Sequence, residues 1–171
     1  MVTKEDLQSK YAGLSNQALM GILEHKADYT ELAIEVATKE LEGRKITPAD
    51  IQSYEQEKAD KVVASYENAI LDLSVWQKIL FYIPFIGGFI RRAYRMNFNE
   101  DGSLLKIKQS GYFTYTGWAA IILIVFASVA FGAGDAICLA IWVLGFILAY
   151  LYNGSSYKPK QLIKINQEFG V

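Results

Sequence analysis

Residues 109–134, QSGYFTYTGWAAIILIVFASVAFGAG, and residues 136–157, AICLAIWVLGFILAYLYNGSSY, are 26 and 22 consecutive positions without a charge, parted only by Asp135. An α-helix rises about 1.5 Å per residue and the hydrocarbon core of a bilayer is about 30 Å thick, so ~20 apolar residues suffice to cross it. Tyr112 to Phe131 meets that length, and Ala136 to Tyr152 nearly does. The expectation is a two-span transmembrane hairpin over residues 112–152 (112–131 and 136–152), the organising part of an all-α membrane protein. No residue set in the chain announces a reaction, and the reading is of a protein that is not an enzyme.

The 171 residues leave room for one small water-facing domain beside such a hairpin. Charge divides along the same line. Residues 1–70 hold 8 Lys/Arg against 13 Asp/Glu, whereas residues 71–171 hold 9 against 5, so the net charge of -1 is a cancellation of an acidic part and a basic part. An acidic water-facing domain would repel phosphate backbones, which argues against nucleic acid as a partner. A single cysteine, Cys138, excludes a disulfide within the chain. The polar opening, Met1 to Lys10, lacks the apolar core of a signal peptide, so the acidic domain is expected to stay in the compartment where it is made.

Residues 1–73 are expected to form a small acidic helical bundle. Thr3 can cap a first helix through Lys10, Ser15 a second carrying Leu19, Ile22 and Leu23, and Thr30 a third carrying Ala33, Val36, Ala37 and Leu41, which Gly43 can end. Asp28 and Tyr29 break the second helix. Thr47, Pro48 and Asp50 open a fourth helix expected to reach about Asp72. Tyr29 and the leucines are expected in the small core, and Glu40 with Arg44 as an i,i+4 surface pair worth ~0.3 kcal/mol.

Leu19, Ile22, Leu23, Tyr29, Ala33, Ala37, Glu40, Leu41 and Arg44 together resemble a short helical module found ahead of the membrane segments of uncharacterised bacterial membrane proteins. The resemblance covers about residues 14–52. It implies a bacterial source and a packing or docking role, with no catalytic residues to carry over.

Residues 74–98 are expected to form a bent interfacial amphipathic segment. Between Lys78 and Arg91 lie 12 uncharged positions, too few to cross a bilayer, and Pro84 with Gly87 and Gly88 interrupts a single helix. Trp76, Leu80 and Ile83 share a face, Phe85, Phe89 and Ile90 continue it, and Trp76 and Tyr82 suit the headgroup boundary. Trp76, Arg91, Arg92 and Arg95 are the candidate contacts to anionic lipid headgroups, each arginine adding ~1 kcal/mol of attraction. The alternative is an amphipathic helix packed on the soluble domain. A connector, 99–111, contains the turn pair Asp101 and Gly102 and a capping Ser103. Asn153 to Ser156 is expected to stop the second span, leaving a basic tail, 153–171, as a surface helix or an added strand.

Eight Lys/Arg flank the hairpin on the side of the termini (Arg91, Arg92, Arg95, Lys106, Lys108, Lys158, Lys160, Lys164) and the connecting turn has none. The positive-inside rule then predicts both termini in the cytoplasm, in the bacterial inner membrane given the resemblance.

Few residues are candidates for chemistry. His25, the only histidine, reads as a solvated helix residue. Asp135 is weighed as a helix cap for the second span against an ion relay, and capping is preferred because a relay needs a partner at depth. Cys138 reads as inert packing. Small residues four apart let helix backbones approach: Ser128 with Gly132, Ala130 with Gly134, Ala136 with Ala140, and Gly145 with Ala149. The first three pairs are expected to close the hairpin, and Gly145 with Ala149 to offer a groove to another protein. No cofactor is expected. The function expected is a non-enzymatic accessory, scaffold or assembly subunit of a larger bacterial inner-membrane complex, with other membrane subunits, anionic lipids and a cytoplasmic protein docking on residues 1–73 as partners. The alternatives are a lipid-interacting or membrane-shaping protein acting through residues 74–96, and a component of an oligomeric transporter.

Overall fold

The computed structural model describes residues 3–85 and 88–171, and every element in it is helical. In chain order these are α1 (Lys4–Ala12), α2 (Asn16–Glu24), a 3₁₀ turn (Lys26–Asp28), α3 (Glu31–Gly43), α4 (Pro48–Ala69), α5 (Val75–Tyr82), α6 (Gly88–Glu100), α7 (Leu104–Phe131), α8 (Asp135–Tyr152), a π-helical turn (Asn153–Tyr157) and α9 (Lys158–Phe169). Gly87, one of the residues expected to break the amphipathic segment, lies outside the described residues. Contacts divide the chain into two units, Met1–Val63 and Ala64–Val171.

In the first unit the starts fall where capping side chains stand. Thr3 accepts from the Asp6 amide while the Asp6 carboxylate accepts from the Thr3 amide, and Ser15 and Thr30 accept from Ala18 and Ala33 in the same manner. Thr47 and Asp50 bond reciprocally at 3.2 and 2.9 Å at the head of α4. Each cap satisfies amides that the helix itself leaves free. Leu19 and Ile22 of α2 meet Ala33, Val36, Ala37 and Leu41 of α3, and Tyr11 of α1 completes the core.

Tyr29, expected in that core, is 42% exposed instead. It occupies the extended residue between the 3₁₀ turn and the cap of α3, off the α2–α3 interface, and Tyr11 is the buried aromatic. Arg44 also departs from expectation. Its guanidinium pairs with Glu40 at 2.9 Å, but it further donates to the carbonyls of Tyr11, Ala12 and Leu14 and to Asn16 Oδ1. These carbonyls stand at and just past the end of α1, where a helix leaves acceptors unpaired and carries partial negative charge. Arg44 is thus a clamp from α3 onto the α1–α2 connection. Lys4 joins α1 to α3 through Glu35 at 3.0 Å, and hydrogen bonds from Lys39 and Lys4 hold that carboxyl down to about 2.

In the second unit α5 packs on α7, α7 on α8, and α9 on α7. The burial of Leu73, Phe81, Tyr82, Phe98, Phe113, Ala120 and Ala149 forms its main core. Ala69, Leu105 and Ile165 form a second cluster, beside which the rings of Tyr66 and Phe169 meet edge to face at 5.5 Å. α7 and α8 are both long and apolar enough to cross a membrane.

The expected helix stop at Asn153–Ser156 does not occur. A π turn carries the chain from α8 into α9 without a break, because the inserted residue turns Asn153 inward, where its Oδ1 accepts from buried Gln109 at 3.4 Å. The tail is therefore helix, not strand. Ser103 begins α7 without a side-chain cap, and the turn before it closes on Gly102, whose φ of +68° suits a residue without Cβ.

Candidate functional site

α5 ends in a residue around which the second unit is built. Tyr82 is 1% exposed, its hydroxyl donates to the Trp142 carbonyl at 3.1 Å, and its ring meets those of Trp142 and Phe146 edge to face at 5.6 and 5.2 Å. Two glycines make room for it. A Cβ on Gly117 of α7 would lie 1.9 Å from the Tyr82 carbonyl oxygen, and one on Gly145 of α8 would lie 2.6 Å from the Tyr82 hydroxyl. Tyr82 is thereby wedged between the two apolar helices. Tyr82 closes one side of Gly145, while Gly145 and Ala149 still line an open groove of about 310 Å³ with Ala120 and Leu148, and the Ala149 carbonyl accepts from the Tyr112 hydroxyl at 3.1 Å.

Below the wedge lies a polar layer. Asp72 takes Lys78 on one oxygen at 3.0 Å and Lys158 on the other at 2.8 Å, so one carboxylate joins the start of α5 to the start of α9. The Lys78 side chain is only 7% exposed, and its ammonium also faces the Tyr150 ring at 5.3 Å. Burial pushes the Asp72 carboxyl up, but the hydrogen bond from Lys158 and the Lys78 ammonium beside it outweigh that and leave the group below its ordinary value. Gln109 accepts from the Leu73 amide at 3.0 Å, satisfying a buried backbone donor in the α4–α5 connection. Tyr157 stacks on Tyr112 at 4.5 Å between ring centres and donates to the Lys108 carbonyl at 3.1 Å. Two lysines against one aspartate leave this layer with a net positive charge.

The candidate lipid contacts share this unit. Trp76 is 80% exposed, on the face of α5 away from buried Lys78, Phe81 and Tyr82. Arg91, Arg92 and Arg95 stand together on α6, where they line a cleft of about 440 Å³ with Thr114 and Trp118 of α7. Arg95 donates through Nε to Ser110 at 3.1 Å and lies over the Phe81 ring, while Arg91 donates to the Pro84 carbonyl.

At the far end of the hairpin Ser128 meets the facing helix as expected, and the other small residues are placed differently. Gly132 ends α7 in the left-handed region at φ +63°, and a Cβ on Gly132 or Gly134 would meet nothing within 4 Å. Ala136 and Ala140 are exposed, as is Ala130. Close approach there comes from Ser128 of α7 and Cys138 of α8, 3.4 Å apart. Asp135 is not the cap of α8: Gly134 holds that position with no side-chain hydrogen bond, and Asp135 is the exposed first helical residue. What it supplies is negative charge beside the positive helix end. His25 closes α2 through its own ring, Nδ1 lying 3.0 Å from the Gly21 carbonyl.

The wedge and the polar layer escaped sequence reasoning. Lys78 inside an apolar helical face, and Gln109 and Asn153 at the ends of apolar runs, are signals that were present, since a polar group at such a place needs a partner. Gly117 has no small residue four positions away, so a search for paired small residues passes over it. Comparison with family models, with curated proteins and with solved structures finds no match to the chain.

Proposed function

We propose that the chain is an integral membrane protein of the bacterial inner membrane, with α7 and α8 crossing as a hairpin and both termini cytoplasmic, and that it is a non-catalytic accessory or assembly subunit of a larger membrane complex. The observation that carries this reading is the uncovered apolar surface. The most apolar 18 residues of α7 and of the continuous α8–α9 helix have mean hydropathies of 1.9 and 2.0, yet only 17% and 6% of them are buried. Side chains such as Ile122, Phe126 and Val129 on α7, and Leu139, Leu144 and Leu148 on α8, are more than half exposed. Stable monomers in water rarely expose such a contiguous apolar surface, whereas lipid or neighbouring helices cover it. Tyr82 closes one side of the space by Gly145, and on the other side Gly145 and Ala149 line an open groove of about 310 Å³. That groove and the aliphatic outer face are what the two helices offer a partner helix. The exposed helical unit ahead of it is suited to docking a cytoplasmic protein.

The lipid-interacting reading has its own support in residues 74–96: Trp76, Phe85 and Phe89 are 80, 72 and 85% exposed on the segment that carries the three arginines.

Affinity capture of the full chain from membranes dissolved in a mild detergent tests the proposal. A fixed partner should be recovered in stoichiometric amount, and the chain should need detergent to stay in solution. A chain recovered alone and monomeric from several mild detergents would overturn the subunit reading.

A further inference from the structure

The cleft between α6 and α7 brings three arginines together without a carboxylate. Gly88, Arg91, Arg92, Arg95 and Asn99 line it from α6, and Thr114 and Trp118, one turn apart, line it from α7. Among the described residues no ion pair involves Arg91, Arg92 or Arg95. A guanidinium keeps its charge at all working pH values and offers five N–H donors, so the few bonds these side chains make leave most of their donors open. One is conspicuous. Arg91 Nη1 is buried and has no hydrogen-bond partner among the described residues, a costly state for half of a charged fork. On the α7 wall Trp118 supplies an apolar ring beside the Thr114 hydroxyl, and outside the cleft the Phe85 ring stands edge-on to Trp118 at 6.0 Å, both rings exposed.

We infer that this cleft binds the phosphate-bearing headgroup of one anionic membrane lipid. The guanidiniums take the phosphate oxygens through the donors they leave open to the cleft, and the acyl chains run past Trp118 along the apolar face of α7. The inference rests on the membrane reading of α7. Thr114 follows Lys108 by six residues, about 9 Å in a helix, and stands two residues into the expected span, so the cleft lies at the boundary between headgroups and hydrocarbon. Charge, apolar wall and depth thus agree on a lipid rather than a soluble phosphate.

Native mass spectrometry of the full chain in a non-ionic detergent, with dioctanoyl phosphatidylglycerol, dioctanoyl phosphatidylcholine and inorganic phosphate as probes, tests this. One phosphatidylglycerol should bind per chain, at least tenfold more tightly than either other probe. Arg92→Gln removes an exposed arginine that makes no hydrogen bond or ion pair among the described residues, so the fold should be kept while binding weakens tenfold or more. Lys160→Gln, the same change of charge at an exposed position outside the cleft, should leave binding within twofold. Equal weakening by both substitutions, equal binding of phosphatidylcholine, or inorganic phosphate binding as tightly as the lipid would each overturn the inference. A chain that needs detergent but shows no anionic preference defeats the cleft alone; a chain soluble and monomeric without detergent defeats the membrane reading beneath it.

Discussion

Gly117→Ala should lower the stability of the second unit by about 2 kcal/mol or more, although alanine is the better helix former. Helix propensity alone favours the substitution by ~1 kcal/mol. Against that, the new methyl group would sit 1.9 Å from the carbonyl oxygen of Tyr82 and 2.8 Å from its carbonyl carbon, and both belong to backbone that cannot turn aside. Overpacking of this kind costs typically 1–3 kcal/mol when side chains can adjust, so about 3 is a fair figure when the obstacle is main chain. The end of α5 must then move off α7, and the Tyr82 ring must leave its place between Trp142 and Phe146. Gly145→Ala should be milder, because the atom in its way is a hydroxyl at the end of a side chain. Thermal unfolding in one detergent, with hydrogen exchange of the α5 amides, measures both effects. A Gly117→Ala protein as stable as the parent, with α5 still protected, would mean that α5 does not dock against α7 as described.

Arg44→Ala should loosen the first unit by about 3 kcal/mol, far more than an exposed i,i+4 pair is worth. The side chain is 23% exposed and serves Glu40, three backbone carbonyls and Asn16 at once. Hydrogen bonds to a charged group contribute ~1.5–3 kcal/mol each before context is considered, and their loss here leaves carbonyls at the end of α1 without a protein donor. Arg44→Lys should recover only part of the loss, since a single ammonium cannot reach acceptors on both sides of the connection as the planar fork does. The readout is amide exchange in α1 and around Gly13 in the full chain. Protection of α1 unchanged in Arg44→Ala would reduce Arg44 to the surface pair that its spacing suggests.

What was legible in the sequence is what depends on neighbours along the chain. Thr3, Ser15 and Thr30 cap their helices as their positions imply, because a cap is a contact over three residues. The apolar runs foretold α7 and α8, because length and hydropathy are local sums. Non-local contacts were not legible. Asn153, Gly154, Ser155 and Ser156 have the composition of a turn, yet Gln109, 44 positions earlier, gives Asn153 a reason to stay inside a continuous helix. Tyr29 and Tyr11 are equally aromatic, and only the α1–α3 packing decides which is buried. Gly145 and Ala149 do line a groove, but nothing along the chain shows that Tyr82, 63 positions from Gly145, closes one side of it.

The central claim is the hairpin across a membrane, with its basic flanks on the cytoplasmic side, and topology reporting tests it most directly. An enzyme active only outside the cytoplasm is inserted at Gly132–Gly134, where the chain turns between α7 and α8, or fused after Val171. The account predicts activity from the insertion at the turn and none from the fusion after Val171. Activity from the terminal fusion with silence at the turn would reverse the orientation, and silence at both sites in a normally abundant protein would contradict the crossing itself.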